Sequence, residues 1–186
     1  MKKKTVIFIV GETGSGKDSV ARILPYPKVV SYTTRLMRRE DVNGLSHYFV
    51  SNRYYEENIK HRNDLIAYTE IGDVKYWALE EDLSDISIYI IDPAGVRWFK
   101  ENYRGPELRY ITIGLYLPLE ERIKRCKNRS DFDDAFYKRV ANEQRDFDLF
   151  RLNGEFDYIL KNDDSRITAE LIDMIIIRKC ILENKD

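Results

Sequence analysis

Three apolar runs along the chain have the composition of strands that are buried on both faces of a sheet. They are TVIFIV (5–10), ISIYIID (86–92) and ELRYITIGLYL (107–117). A shorter run, FDYILKN, adds a late strand, and KVVSYTT (28–34) predicts another near the start. Segments of helical period lie between these runs. The alternation of strand and helix predicts an α/β fold whose mostly parallel sheet is covered by helices on both faces.

The predicted helices have recognisable starts. One follows a glycine-rich turn after the first strand, and a second, PAGVRWFKENY, begins at Pro93, where proline is favoured. LEERIKRCKNR and DDAFYKRVANEQRDFDLF also have helical period, and a terminal helix is predicted over 165–182 with Ser165 as its cap.

A polar stretch over 31–80 interrupts the alternation and predicts an inserted lobe. Within it, SNRYYEENIKHR (51–62) is expected to be a helix capped by Ser51. The segments 64–71 and 75–79 are expected to form a hairpin around a Gly-Asp pair.

Composition narrows the class of protein. The 186 residues are 43% hydrophobic and 34% charged, as expected for one soluble globular domain. The 31 basic and 32 acidic residues nearly cancel, so we expect neither a nucleic acid nor a membrane as partner. Two distant cysteines favour free thiols in a reducing cytoplasm. The basic N-terminus before TVIFIV is interpreted as a tail before a buried strand rather than as a signal peptide. The sequence gives no indication of oligomeric state.

The stretch GETGSGKDS (11–19) has the spacing GxxxxGK of a phosphate-binding loop. Because it follows a buried strand and opens a helix, its backbone N–H groups are expected to face a phosphate. Lys17 would place a positive charge on the outer phosphates of the nucleotide. The residues expected to contact the nucleotide are Gly11, Thr13, Gly14, Ser15, Gly16, Lys17, Asp18 and Ser19.

Asp18 stands where such loops carry the Ser or Thr that holds Mg²⁺. Ser19 cannot replace it, because one residue along a helix turns the side chain by about 100°. A carboxylate ~4 Å from a phosphate charge costs about 4 kcal/mol at an effective dielectric of ~20, and a Mg²⁺ between them reverses the sign. We therefore expect Asp18 to bind Mg²⁺ directly or through a water. The alternative is that Asp18 only complements the helix dipole.

The segment SYTTRLMRREDVNGLSHYFVS (31–51) resembles the GMP-binding segment of guanylate kinases. Two of its arginines, Arg35 and Arg38, could clamp a dianionic phosphate with charge-assisted hydrogen bonds. IYIIDPAGV (88–96), RIKRCKNRSDFDDAFYKRV (122–140) and FDYILKNDD (156–164) are similar to later segments of the same family, in the same order. The loop SGKD also resembles that of phage-type deoxynucleotide monophosphate kinases. Residues 31–51 in register with the family pattern are Ser31, Thr33, Thr34, Arg35, Arg38, Gly44, Phe49 and Val50.

The resemblance implies a P-loop NTPase fold that transfers phosphate from ATP, with Mg²⁺, to a nucleoside monophosphate, with GMP or dGMP favoured. It divides the chain into a core (1–30, 81–120 and 140–186), an acceptor lobe (31–80) and a helical lid (about 121–139). Lys17, Arg129 and Arg139 would be catalytic, although Arg122 and Arg125 compete with Arg129 for the lid roles. Asn162 would lie near the adenine. The residues implied to bind the acceptor are Ser31, Arg35, Arg38, His47, Tyr76 and Asp92.

The chain departs from the family pattern where the guanine base is bound. The family Glu falls at Ala67, and Glu70 is expected on the opposite face of the strand unless a bulge shifts the register. The missing charged hydrogen bond would cost about 1.5–3 kcal/mol. Positions on the phosphate side change too: His47 replaces a family Tyr, Trp77 is expected to add bulk where Gly is usual, and Ala78 lacks a hydroxyl.

These departures leave two alternatives to a GMP kinase. One is a kinase of the same fold that phosphorylates another ribo- or deoxynucleoside monophosphate. The other is a non-catalytic guanylate-kinase-like binding module, which the retained Gly16 and Lys17 disfavour.

Overall fold

The computed structural model describes residues 3–39, 41–127 and 134–182. The chain divides into two compact units. The first unit comprises Met1–Val6 and Pro27–Arg109, and the second comprises Ile7–Tyr26 and Tyr110–Asp186. The elements in chain order are β1 (Thr5–Gly11), α1 (Lys17–Ile23), β2 (Tyr32–Thr33), β3 (Tyr48–Phe49), α2 (Asn52–Asn58), β4 (Leu65–Ile71), β5 (Val74–Leu79), β6 (Ile86–Ile90), α3 (Pro93–Asn102), β7 (Arg109–Tyr116), α4 (Leu119–Cys126), α5 (Asp134–Leu152), β8 (Tyr158–Lys161) and α6 (Ser165–Ile176).

The first unit contains a four-stranded sheet in the order β3-β2-β5-β4. The predicted hairpin is present: β4 and β5 pair antiparallel, and Gly72 makes the turn with a φ of 61°. An aromatic core packs against this sheet, and α3 lies against β4. The buried members of that core are Tyr55, Ile59, Leu65, Trp77 and Leu79.

A second sheet has the strand order β6-β1-β7-β8. All seven residues of β1 are buried, as its β-branched run predicts. β1 contributes Thr5 and Val6 to the first unit, where β6 also lies, and its remaining residues to the second unit. In the second unit β7 and β8 pair in parallel, and α1 packs against α6. The predicted α/β fold is confirmed.

One predicted strand is much shorter than expected. The strand expected over 28–34 is reduced to β2, because Lys28 bridges to Ile88 whereas Tyr32 pairs with Tyr48 and Trp77. The two ends of that segment therefore pair with different strands.

One predicted helix cap is confirmed and another is wrong. Ser51 caps α2 as predicted, accepting a hydrogen bond from the Tyr54 N–H at 3.1 Å. The cap of α6 is Asp164 rather than Ser165, because the Asp164 carboxylate accepts from the N–H groups of Arg166 and Ile167. No helix in the described ranges is long and apolar enough to span a membrane.

Candidate active site

The glycine-rich loop of the second unit leads from β1 directly into α1. Gly16 is the N-cap of α1 and has a φ of 89°, a left-handed conformation that glycine adopts without strain. A side chain at Gly16 would also collide with the amide of Asn162. The loop therefore requires glycine at this position for its conformation and for its packing.

Lys17 lies over this loop. Its Nζ donates hydrogen bonds to the carbonyl oxygens of Gly11 at 2.5 Å and Glu12 at 3.2 Å. Burial lowers the pKa of Lys17 below its ordinary value of 10.5, and the negative charges of Glu143 and Asp18 partly offset that effect. The loop thus holds a partly buried lysine amine with several acidic side chains nearby.

Asp18 and Ser19 both lie in the first turn of α1 with exposed side chains. Among the described residues, no cluster of three or more His, Cys, Asp or Glu side chains could hold a metal ion. Mg²⁺ in proteins commonly takes one or two carboxylates, substrate phosphates and several waters. An exposed Asp18 carboxylate close enough to act on Lys17 fits that pattern, with nucleotide phosphate as the second source of oxygen ligands.

A group of charged side chains around Glu12 holds the loop in place. Glu12 and Arg122 are only 6% and 5% exposed, and their side chains form an ion pair at 3.2 Å. Arg122 also donates to the Thr13 carbonyl at 3.1 Å, and Arg151 lies 3.6 Å from the other Glu12 oxygen. The side chain of Arg122 therefore holds the loop. In the sequence analysis Arg122 is one of three candidates for the lid roles.

Glu143 of α5 binds the loop from another side. Its carboxylate accepts one hydrogen bond from the Thr13 N–H at 2.8 Å and one from the Thr13 hydroxyl at 2.6 Å. Sequence analysis missed this contact, since 130 residues separate the two partners. The only sequence signal is position: Glu143 lies one helical turn after Arg139, so both are on one side of α5.

The end of β8 also contacts the loop. Asn162 is fully buried, and its amide donates to the Ser15 carbonyl at 2.6 Å. Arg125 donates to the carbonyls of Asn162 and Asp163, both at 2.7 Å. Arg139 lies half-buried on α5, and Arg129 lies outside the described residues.

The first unit contains a cavity of about 170 Å³. Three β4 residues that alternate along the strand face it, together with Tyr76 of β5 and the carboxyl end of β6. Four of the six residues expected to bind the acceptor line this cavity, and Arg35 and Arg38 do not. The lining residues are Ser31, His47, Ala67, Thr69, Ile71, Tyr76, Tyr89, Ile90, Ile91 and Asp92.

Two hydroxyls meet on one side of the cavity. The Ser31 Oγ and the Tyr89 OH are 3.0 Å apart, within hydrogen-bond distance. Burial raises the pKa of Tyr89 well above its ordinary value, so the phenol stays protonated. Asp92 caps α3, and its Oδ1 accepts a hydrogen bond from the Gly95 N–H at 2.7 Å.

His47 also lines the cavity, in edge-on contact with Tyr76 at 5.7 Å between ring centres. Its Nδ1 is buried and has no hydrogen-bond partner in the described part of the chain. Burial lowers the pKa of His47, and the positive charge of Arg35 lowers it further. His47 is therefore neutral at physiological pH.

The strand β4 presents Ala67, and not Glu70, to the cavity. Glu70 is exposed, accepts a hydrogen bond from the Tyr68 OH at 2.6 Å and lies 3.8 Å from the Lys75 Nζ. The β4–β5 register does shift between Leu65 and Ala67. That irregularity precedes Ala67 and does not turn Glu70 inward, so the predicted facing of Glu70 is confirmed.

Trp77 adds its bulk to the core of the first unit. Trp77 is fully buried in the aromatic core, stacked on Tyr32 at 5.7 Å with 10° between the ring planes, and 5.0 Å from Tyr55. Tyr76 faces the cavity, so the next residue along the strand must face away from it. The bulk of Trp77 stabilises the core and does not narrow the cavity.

The two arginines expected to clamp a phosphate have different partners. Arg35 makes a bidentate contact with Asp41, at 2.8 and 3.2 Å, and lies 5.2 Å above the Phe49 ring. This contact raises the pKa of Arg35 and lowers that of Asp41. Arg38 has an exposed side chain, and its backbone N–H donates to Asp41 at 2.7 Å. Asp41 thus fixes the loop that carries both arginines.

Comparison with known proteins agrees with this arrangement. The family model described as guanylate kinase matches residues 2–178. The guanylate kinase of Geobacter metallireducens is 29% identical over 97% of this chain and 92% of its own length. That of Rickettsia prowazekii is 29% identical over 94% and 91%. In fold, the crystal structure of guanylate kinase from Anaplasma phagocytophilum matches with a TM-score of 0.70 at 19% identity, covering 97% of this chain and 88% of that one. The chain belongs to the guanylate kinase family.

Proposed function

We propose that this protein catalyses phosphoryl transfer from ATP to GMP, with dGMP as a second acceptor. The observation that carries the proposal is the cavity of the first unit, where Ser31, Asp92 and Tyr76 line one site as the family resemblance implies. The family match over residues 2–178 supports the reaction, and the phosphate loop supports the donor.

The second unit would bind ATP. Backbone N–H groups of residues 13–17 and the start of α1 would hold the phosphates, and Lys17 would neutralise charge on the outer ones. Asp18 would hold Mg²⁺, which when bound screens the repulsion between the phosphate oxygens and the carboxylate. Lys17 would release the carbonyls of Gly11 and Glu12 to reach a phosphate, since its flexible stem allows that movement.

The arginine roles follow from which guanidinium groups already hold the loop. Arg122 is committed to Glu12 and Thr13, and Arg125 to the carbonyls of Asn162 and Asp163. The family resemblance implies Arg139 and Arg129 as the residues that would stabilise charge on the transferred group. Such groups act by position and charge rather than by forming covalent intermediates.

The first unit would bind the monophosphate within the acceptor lobe predicted over 31–80. The base would lie in the cavity against Ser31 and Asp92, and Arg35, Arg38, His47 and Tyr76 would face the phosphate side. Arg35 can contact a phosphate while Asp41 keeps its guanidinium oriented, since a guanidinium has five N–H donors. We also propose a cytoplasmic location, without a nucleic acid or membrane partner.

The comparisons do not favour the two alternatives, a kinase for another nucleotide and a non-catalytic module. The test is ADP release with ATP·Mg²⁺ against a panel of ribo- and deoxynucleoside monophosphates. Turnover strongest with GMP and dGMP is expected. Turnover confined to another base would contradict the acceptor, and ATP binding without turnover on any acceptor would contradict the enzyme.

A further inference from the structure

Tyr89 lines the cavity, although no motif in the sequence indicates a role for it. It lies on β6, is 4% exposed, and brings its hydroxyl to within 3.0 Å of the Ser31 Oγ. On β4, the strand residue that faces the cavity at the family Glu position is Ala67, which has no polar side-chain atom. The neutral hydroxyl pair of Ser31 and Tyr89 therefore supplies polar groups to a cavity that lacks that carboxylate.

The direction of the Ser31–Tyr89 hydrogen bond follows from acidity. The 3.0 Å separation allows either hydroxyl to donate. A phenol is far more acidic than an aliphatic alcohol and is the better donor, which favours the arrangement in which Tyr89 donates and the Ser31 Oγ accepts. A hydroxyl that accepts a hydrogen bond is polarised and becomes a stronger donor through its own proton. Ser31 is thereby set to donate.

A donor in this position distinguishes purines. Guanine presents acceptors at O6 and N7, whereas adenine presents an amino donor at the position of O6. An oriented Ser31 hydroxyl matches the 6-oxo group and opposes the 6-amino group. This discrimination needs no carboxylate on β4.

We propose that Tyr89 is a specificity-determining positioning residue, which orients the Ser31 hydroxyl to donate to the 6-oxo group of a purine monophosphate. The inference rests on the proposed function, since it assigns the base class of that acceptor site. Tyr89 acts through Ser31 and does not touch the transferred phosphoryl group.

The experiment measures kcat and KM for GMP and AMP with four proteins: wild type, Tyr89→Phe, Ser31→Ala and the double variant. Tyr89→Phe is expected to raise the KM for GMP about tenfold, with kcat within about twofold, and to lower the preference for GMP over AMP by a similar factor. The double variant is expected to be within about twofold of Ser31→Ala, because both changes remove one unit. The matched control is Tyr103→Phe, which removes a hydroxyl bonded to Glu80 elsewhere in the first unit.

Three results would overturn the role of Tyr89. They are an unchanged KM for GMP, an equal loss for GMP and AMP, and additive effects of Tyr89→Phe and Ser31→Ala. Calorimetric binding of GMP and AMP to the same proteins separates this inference from the reaction. Absence of turnover in wild type would contradict the proposed function, while the shift in GMP over AMP affinity on Tyr89→Phe would still decide the role of Tyr89.

Discussion

The phosphate loop of the second unit and the cavity of the first unit offer a ligand different kinds of chemical groups. The loop is held by charged groups: Glu12 with Arg122, Glu143 with Thr13, and Lys17 with two loop carbonyls. The cavity is lined by neutral hydroxyls, an uncharged His47 and one carboxylate, that of Asp92. A phosphate is recognised by its charge, so a loop that ion pairs hold rigidly is suited to bind it. A base is distinguished by the placement of donors and acceptors, so a few hydroxyl positions decide it.

The largest effect is expected where an ion pair of the loop is buried. Glu12→Gln leaves the Arg122 guanidinium buried without a compensating charge, which costs about 3–5 kcal/mol of unfolding free energy. Urea denaturation measures this loss. The matched control is Glu121→Gln, which breaks an exposed pair with Lys124 and should leave the midpoint unchanged. A loss below about 1 kcal/mol for Glu12→Gln would show that the buried ion pair contributes little to the stability of the fold.

Lys17 should give the largest effect on catalysis. Lys17→Met removes the charge that the loop offers to the outer phosphates, and turnover should fall about 100- to 1000-fold. GMP affinity, measured by calorimetry, should stay the same. Lys124→Met on α4 is the control, since that ammonium is exposed and pairs with Glu121. Equal losses in GMP affinity and turnover would show that the loop and the cavity do not bind their ligands independently.

A carboxylate added to the cavity should change base selection. Ala67→Glu supplies an acceptor for the guanine amino group, a charged hydrogen bond of about 1.5–3 kcal/mol. We expect kcat/KM for GMP to rise ten- to a hundredfold relative to inosine monophosphate, which lacks that amino group. Asn63→Glu, at an exposed position of the first unit outside the cavity lining, is the control for added charge. A uniform change for both acceptors would show that Ala67 does not face the base.

Glu143 should have a smaller effect, on ATP affinity. Its carboxylate occupies both donors of Thr13 and lies close enough to act on the charge of Lys17, so it would repel a phosphate bound there. Glu143→Gln is expected to tighten ATP binding about tenfold in calorimetry. Glu170→Gln, an exposed acid on α6, should have no effect. Weaker ATP binding after Glu143→Gln would mean that the carboxylate supports the loop rather than competing with the nucleotide.

The smallest effect concerns pH and the neutral character of the cavity. Because folding lowers the pKa of His47, the unfolded chain binds the proton more tightly than the folded protein. The contribution of His47 to stability is therefore present above its unfolded value of about 6.5 and is lost as pH falls toward the lowered pKa. Urea unfolding at pH 7.5 and 5.5 should show a smaller difference in His47→Gln than in wild type. An identical difference would mean that His47 titrates normally.

Sequence analysis was most successful where the pattern is local. The buried β1, the hairpin of β4 and β5, the Ser51 cap and the facing of Ala67 follow from period and cap chemistry alone. The cap of α6 was misplaced by one residue, because both Asp164 and Ser165 are good caps and only the backbone decides between them.

The partners of the phosphate loop could not be predicted in this way. Glu12 and Arg122 are 110 residues apart, and neither lies in a pattern that indicates a buried charge. Tyr89 was assigned to a buried strand as an apolar residue, and its hydroxyl gained a role only when folding brought Ser31 beside it.

The burial of Trp77 also has a spectroscopic consequence. The chain contains two tryptophans, Trp77 and Trp98, and both belong to the first unit. Intrinsic tryptophan fluorescence therefore reports on the unit that holds the cavity and carries no emitter from the unit that holds the phosphate loop. Trp77, enclosed by Tyr32 and Tyr55, should emit at short wavelength and collect energy transferred from those tyrosines. Without any label, the protein thus carries an optical probe of one half of its reaction.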